Sequence, residues 1–161
     1  MTQDANANDL ADETAWLERV LLGRIPLAET LQLSIGCLND DGIQLDFPLP
    51  PSINDKGSAF GGALASAMIL AGWSLPRLLL RRHAIEAELV IGRCELKFLK
   101  PVYGPYSATC KWPDPEATQS FVDGISQTGK GRLQRSVTVV SNGEVAASLE
   151  ARYAALVIES T

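Results

Sequence analysis

Between Ala59 and Arg82 the sequence reads AFGGALASAMILAGWSLPRLLLRR, apolar on nearly every side until the arginines begin at Arg77. A helix with no polar face has to be enclosed, so the rest of the chain must wrap around this segment. Crossing a membrane is the competing use of such a run. Gly72, Pro76 and the early basic residues leave no uninterrupted apolar stretch of about 20 residues, so no membrane insertion is expected. The wrapping material is β-like. Leu31, Leu33, Ile35 and Cys37 alternate with polar or small residues, as do Ile43, Leu45, Phe47 and Leu49, and the intervening NDDG suits a hairpin. Beyond the apolar run come AELVIGRCELKFL, with an irregularity at Gly92, then YSATCKW, then two runs joined by Asn142-Gly143, a type I′ turn pair. The expected fold class is α+β, an antiparallel sheet wrapped around one long central apolar helix.

The ends and the charge narrow the uses of such a domain. Residues 1–13 read as a disordered polar tail and residues 14–161 as a single domain, with a short amphipathic helix over Ala15–Leu22 carrying Trp16, Leu17, Val20 and Leu21. DPEATQSFVDGI is read as a short helical turn or insertion. The first residues are polar and acidic, with no basic start or apolar stretch of leader type, so a cytoplasmic location is expected. A net charge of -5 offers no overall attraction to nucleic acid. Cys37, Cys94 and Cys110 stand far apart among apolar residues and read as packed, reduced thiols. The single histidine, His83, has no ligand neighbour, so neither a metal nor a cofactor is implied.

Chemistry concentrates where a polar turn, INDKGSAFGG, runs into the apolar helix. The first N–H groups of a helix lack internal partners and carry the positive end of its dipole, so they favour anionic oxygen. Gly61 and Gly62 let a substrate oxygen approach that end, and Asn54 and Ser58 add neutral donors, which together describe an oxyanion hole. Plainer roles compete. Ser58 is a natural helix cap, Asn54 a natural turn residue, and paired glycines serve close packing. Arg77, Arg81 and Arg82 suit a helix C-terminus, and with Lys97, Lys100, Lys130 and Arg132 they form the alternative of a docking patch for an acidic carrier or a phosphate.

Asn54, the run Gly57-Ser58-Ala59-Phe60-Gly61-Gly62, the closing Gly72-Trp73 and the later ELKFLKPV resemble the hotdog-fold thioesterase superfamily over residues 15 to 158. Within it the likeness is to the thioesterase group of the YiiD C-terminal domain type, which includes stand-alone malonyl-acyl-carrier-protein decarboxylases. That resemblance implies a hotdog fold and an acyl-CoA or acyl-ACP substrate. It also implies a homodimer or dimer of dimers, with Asn54 and the Gly61 N–H as catalytic groups and Ser58, Ala59, Phe60 and Gly62 against the substrate. Many hydrolases of the superfamily carry a histidine before the glycine pair and an acid about two turns into the helix. Here Phe60 takes the first place, and no Asp or Glu occurs between Phe60 and Pro76. A hydrolase would have to recruit Asp55, Glu86, Glu88 or Glu95 as base. Decarboxylation of a malonyl thioester requires stabilised enolate charge and no water-activating base, so the missing acid favours it. Hydrolysis and non-catalytic acyl binding are the alternatives.

Overall fold

A computed structural model describes residues 2–159. The chain folds as α1 (Thr2–Arg24), α2 (Pro26–Thr30), β1 (Ser34–Leu38), β2 (Gly42–Phe47), α3 (Gly61–Arg82), β3 (Glu88–Phe98), β4 (Tyr106–Lys111), α4 (Pro115–Thr128), β5 (Lys130–Ser141) and β6 (Glu144–Leu156). The strands form one antiparallel sheet in the order β1-β2-β4-β5-β6-β3. It curves around α3, whose Leu64, Ala67, Met68, Ala71, Leu75 and Leu78 are buried with Ile43, Leu45, Phe47, Ala108, Val137, Val139, Leu149 and Tyr153 of the strands. This is the hotdog arrangement.

The central helix is long and continuous, as expected, and runs through both Gly72 and Pro76. Proline removes one N–H and crowds the residue four positions earlier, and here that residue is Gly72, which has no side chain. Tyr153 occupies the space beside Gly72: a Cβ there would lie 2.5 Å from the phenol oxygen, which donates to the Ile69 carbonyl at 2.7 Å. By length and hydropathy the unbroken helix would pass for a membrane span, yet 72% of its apolar stretch is buried inside the molecule.

The amino-terminal helix also differs from expectation. It begins at Thr2 and not near Ala15, so residues 2–13 are helical where a disordered tail was expected. Asp12 and Glu13 explain part of this order, since they pair with Arg81 and Arg82 at the far end of α3, both at 2.8 Å. Composition showed the polarity of the segment but not its distant partners. The segment after β4 is a full helix, α4, capped by Asp114, whose carboxylate accepts from the Ala117 N–H at 2.7 Å, and ended by Gly129 at φ 74°. Its Phe121 and Ile125 pack on Leu79, Leu80 and Leu133.

All three cysteines are free thiols, but only Cys110 is packed as expected. A register shift between Ile35 and Cys37 turns Cys37 outward, and Cys94 is exposed on the edge strand β3. The turn between β5 and β6 has Asn142 at φ 53° and Gly143 at φ 75°, as a type I′ hairpin requires.

Candidate functional site

Asn54 organises the loop that leads into α3. Its Oδ1 accepts from the Lys56 N–H at 2.8 Å and the Ser58 N–H at 3.1 Å, which fixes the orientation of the amide. Its backbone N–H donates to the Ser58 carbonyl at 2.8 Å, and its Nδ2 donates to Ser58 Oγ at 2.9 Å. An amide nitrogen carries two protons, so one N–H of Asn54 is left to donate elsewhere. The Ser58 hydroxyl, having accepted from Asn54, likewise retains its own proton. Gly57, at φ 82°, supplies the left-handed residue that closes the loop.

The next residues prepare the helix end. The Ala59 N–H donates to Val102, the Phe60 N–H to Ser52 at 2.6 Å, and the Ala63 and Leu64 N–H groups both reach the Phe60 carbonyl. No side chain caps the helix, so the N–H groups of Gly61 and Gly62 have no acceptor among the described residues. They sit at the positive end of a 22-residue helix. This end is anchored in the core: the Ser52 hydroxyl lies 2.8 Å from that of Tyr106, whose ring stacks on Phe47 at 5.2 Å. Burial raises the Tyr106 pKa above its ordinary value, outweighing the Ser52 hydrogen bond, and keeps the phenol protonated.

The glycine pair is shaped by aromatic rings. A Cβ at Gly62 would lie 2.4 Å from the Phe60 ring, and one at Gly61 would lie 3.6 Å from the Phe98 ring. Phe60 and Phe98 are both more than half exposed, and with Ile53 and Leu27 they form an apolar rim. Asn54, Phe60 and Gly62 line one cleft of about 520 Å³, together with Ala63, Ser66 and residues of α2. Ser58 and Ala59 are buried outside this lining, and Ala59 commits its N–H to Val102. Gly61 is half-buried on the Phe98 side.

Sequence reasoning missed the α2 wall, Leu27, Thr30 and Leu31, because a five-residue helix is too short to show a period. It also missed Ser66, a single polar residue in the first turns of the apolar run, whose hydroxyl donates to the Gly62 carbonyl at 2.8 Å. That isolated hydroxyl was the available signal.

The carboxylates considered as bases lie elsewhere. Asp55 is exposed and paired with Lys56 at 3.2 Å. Glu88 is at the opposite end of β3 from Phe98, about 33 Å at the rise of an extended strand, and Glu86 precedes it. Glu95 stands on the outer face opposite Glu150. Glu13 is the one buried carboxylate among the described residues, and Arg82 holds it. The histidine, His83, is the C-cap of α3, at the wrong end.

The arginine cluster is structural. Arg77 and Arg81 lie over Trp16, Arg82 lies over Trp112 at 4.3 Å, and Arg81 and Arg82 are paired as described. A second depression, about 420 Å³ near Cys110 and Arg135, offers less chemistry. Arg135 donates to the carbonyls of Lys111 and Gln134, and burial pushes the Cys110 thiol up to about 11 against the opposing effect of Arg135.

Comparison with known proteins bears on the family and the fold. The family described as “Putative thioesterase (yiiD_Cterm)” matches residues 14–157. The chain belongs to this family. A Chlorobaculum tepidum protein of unknown function is 27% identical, covers 90% of this chain over 94% of its own, and superposes with a TM-score of 0.87. A Shewanella oneidensis protein described as a “putative thioesterase” is 22% identical over 91% of this chain and 99% of its own, with a TM-score of 0.80. The E. coli PaaI protein from the phenylacetic acid degradation operon is 15% identical over 94% and 98% of the two chains, with a TM-score of 0.63. These likenesses establish the hotdog thioesterase fold. No curated protein matches the chain.

Proposed function

We propose that this hotdog thioesterase-family protein decarboxylates a malonyl thioester, carried by acyl carrier protein or coenzyme A, to the acetyl thioester. The observation that carries the reading is the pairing of unbonded donors with an absence of bases. Among the described residues the Gly61 and Gly62 N–H groups and one Asn54 N–H have no acceptor, no histidine lines the cleft, and its one carboxylate, Asp55, is exposed and paired with Lys56. The thioester oxygen accepts from Asn54 and Gly61. As the bond between the methylene carbon and the carboxylate breaks, its electron pair moves toward that oxygen, carbon dioxide leaves, and the enolate takes a proton from water at carbon to give the acetyl thioester. Preorganised donors aimed at a developing oxyanion typically contribute 10²- to 10³-fold each. The rim of Phe60 and Phe98 faces the departing carboxylate with apolar surface, which holds its ionic form less well than water does.

Ser58 supports this arrangement from below by accepting one Asn54 proton and so aiming the other. The reading includes a cytoplasmic location and a homodimer, the latter supported by the unpaired outer edge of β3. Hydrolysis is the second reading, because the family description names thioesterases. The deciding experiment treats the purified protein with malonyl thioester and separates products by mass spectrometry. Acetyl thioester with carbon dioxide is expected. Free thiol with malonate establishes hydrolysis, and tight binding of acyl thioesters without turnover leaves a binding module.

A further inference from the structure

The sheet forks between β4 and β5. These strands pair as far as Cys110 opposite Val137, while β4 goes on beside β2 to Lys111 and β5 runs beside β6 back to Lys130. The depression of about 420 Å³ described above lies at this fork, and Trp112, under the Arg82 guanidinium, is part of its wall. Arg135 stands in the fork at a position that strand alternation assigns to the interior, between the buried Leu133 and Val137 and opposite the buried Ala151. Its charge reaches the Cys110 thiol and the Tyr153 phenol and opposes the effect of burial in both. A cation in such surroundings is costly unless an anion accompanies it. Among the described residues Arg135 enters no ion pair, and Glu150 on the neighbouring strand is engaged by the Ser136 hydroxyl at 2.7 Å. The guanidinium donates to the carbonyls of Lys111 and Gln134, which leaves three of its five N–H groups without an acceptor there.

Thr109 and Thr138 add a neutral donor to the same depression. Their hydroxyls share one hydrogen bond, at 3.0 Å, so the accepting hydroxyl keeps its own proton for another partner. The charged residues of the lining are Arg135 and Lys111 against Asp41, a positive balance in a chain whose net charge is -5. Ile43, Cys110 and Trp112 contribute apolar surface. A concave, largely apolar site with a few convergent polar groups is the usual form of a small-molecule site. We propose that this depression is a second ligand site, which takes a small monocarboxylate with an apolar body, its carboxylate on Arg135 and the threonine pair and its body against Trp112. It shares no lining residue with the Gly61 cleft, so the proposal does not depend on the reaction carried out there.

The test is calorimetric titration of the whole chain at low salt with octanoate, and with butanoate, octanamide and inorganic phosphate beside it. Octanoate should bind with a Kd of about 0.1–1 mM, as befits a small ligand in an open site. Butanoate lacks most of the apolar body, octanamide the charge and phosphate the body altogether, so each should bind at least about tenfold more weakly. Nitrogen–proton correlation spectra report the place. The Trp112 indole N–H, which donates to the Asn39 carbonyl at 2.8 Å, should shift with octanoate, and that of Trp73, bonded to the Leu89 carbonyl at 3.2 Å, should not. Arg135→Gln should weaken octanoate at least about tenfold. Asp41→Asn alters an exposed carboxylate that makes no hydrogen bond or ion pair among the described residues, and it should tighten octanoate about twofold by removing a like charge. That variant keeps the proposal open to refutation even where Arg135→Gln does not fold. Octanoate that fails to bind by about 10 mM, binds without moving Trp112, or is matched by octanamide or phosphate would overturn the inference. So would a folded Arg135→Gln protein that binds it as tightly as the wild type, or an Asp41→Asn protein that binds it no more tightly.

Discussion

Asn54 has two duties that one pair of substitutions separates. Its oxygen holds the loop by accepting from Lys56 and Ser58, and its nitrogen supplies the donor proposed for the thioester. Asn54→Asp keeps the acceptor, and the Ser58 hydroxyl can turn to donate to the new carboxylate, so the fold should lose less than about 1 kcal/mol. A carboxylate near the start of α3 is itself favourable to the helix dipole. The donor, however, becomes a negative charge facing an enolate. Loss of one such donor costs about 10²- to 10³-fold in kcat, and the added repulsion makes the upper figure the expected one. Asn54→Ala removes both duties, and at about 1 kcal/mol for each of the two accepted bonds it should cost about 2 kcal/mol of stability as well. The assay is the rate of acetyl thioester formation, followed by mass spectrometry, alongside thermal and urea melts of each variant. A folded Asn54→Asp protein retaining more than a tenth of the wild-type rate would refute the reasoning and leave Asn54 a turn residue.

Three further outcomes test the structure around the site. Gly72→Ala should cost about 1–3 kcal/mol through its clash with the Tyr153 phenol, and much less in a Tyr153→Phe background, as a double-mutant cycle by urea melts would show. Arg82→Ala leaves the buried Glu13 without its partner and Trp112 without its cation, and should lower stability by about 2 kcal/mol while kcat stays unchanged. Cys110 ionises near 9.0 ordinarily and at about 11 in the fold, so the folded state holds the proton more tightly. That contribution is complete below pH 9 and is lost as pH rises from 9 through 11. Urea midpoints should fall over this window by an amount worth up to about 3 kcal/mol, and a Cys110→Val variant should show a shallower fall. Tyr153, also raised by burial, acts in the same direction from about pH 10.

The apolar run and the alternating strands made the architecture legible, since a helix without a polar face admits few enclosures. Inward-facing Ile43, Leu45 and Phe47 are buried as their spacing implies. The errors fell where long-range contact overrides local pattern. Residues 2–13 carry one large apolar side chain, Leu10, too few to show a period, and the ion pairs of Asp12 and Glu13 come from 69 residues away in sequence. Cys37 belongs to a regular alternation that a register shift breaks, and no residue in LQLSIGCL announces the shift except Gly36. At the site, the glycine-rich join and Asn54 were visible as a turn entering a helix. The two rings that occupy the space over the glycines were not, because Phe98 arrives from a strand more than thirty residues later. The cleft wall from α2 depends in the same way on tertiary placement.

The pairing of Asp12 and Glu13 with the last turn of α3 has a bearing on where this domain begins. The family match starts at Thr14, immediately after both carboxylates. A chain shortened to that boundary would keep every strand and the whole central helix, yet leave Arg81 without its anion and Arg82 bound only through Trp112. The family match and the reach of these ion pairs therefore have different edges. The residues between them act as a strap across the end of the helix farthest from the glycines, holding in place the rod whose other end carries the unbonded amides.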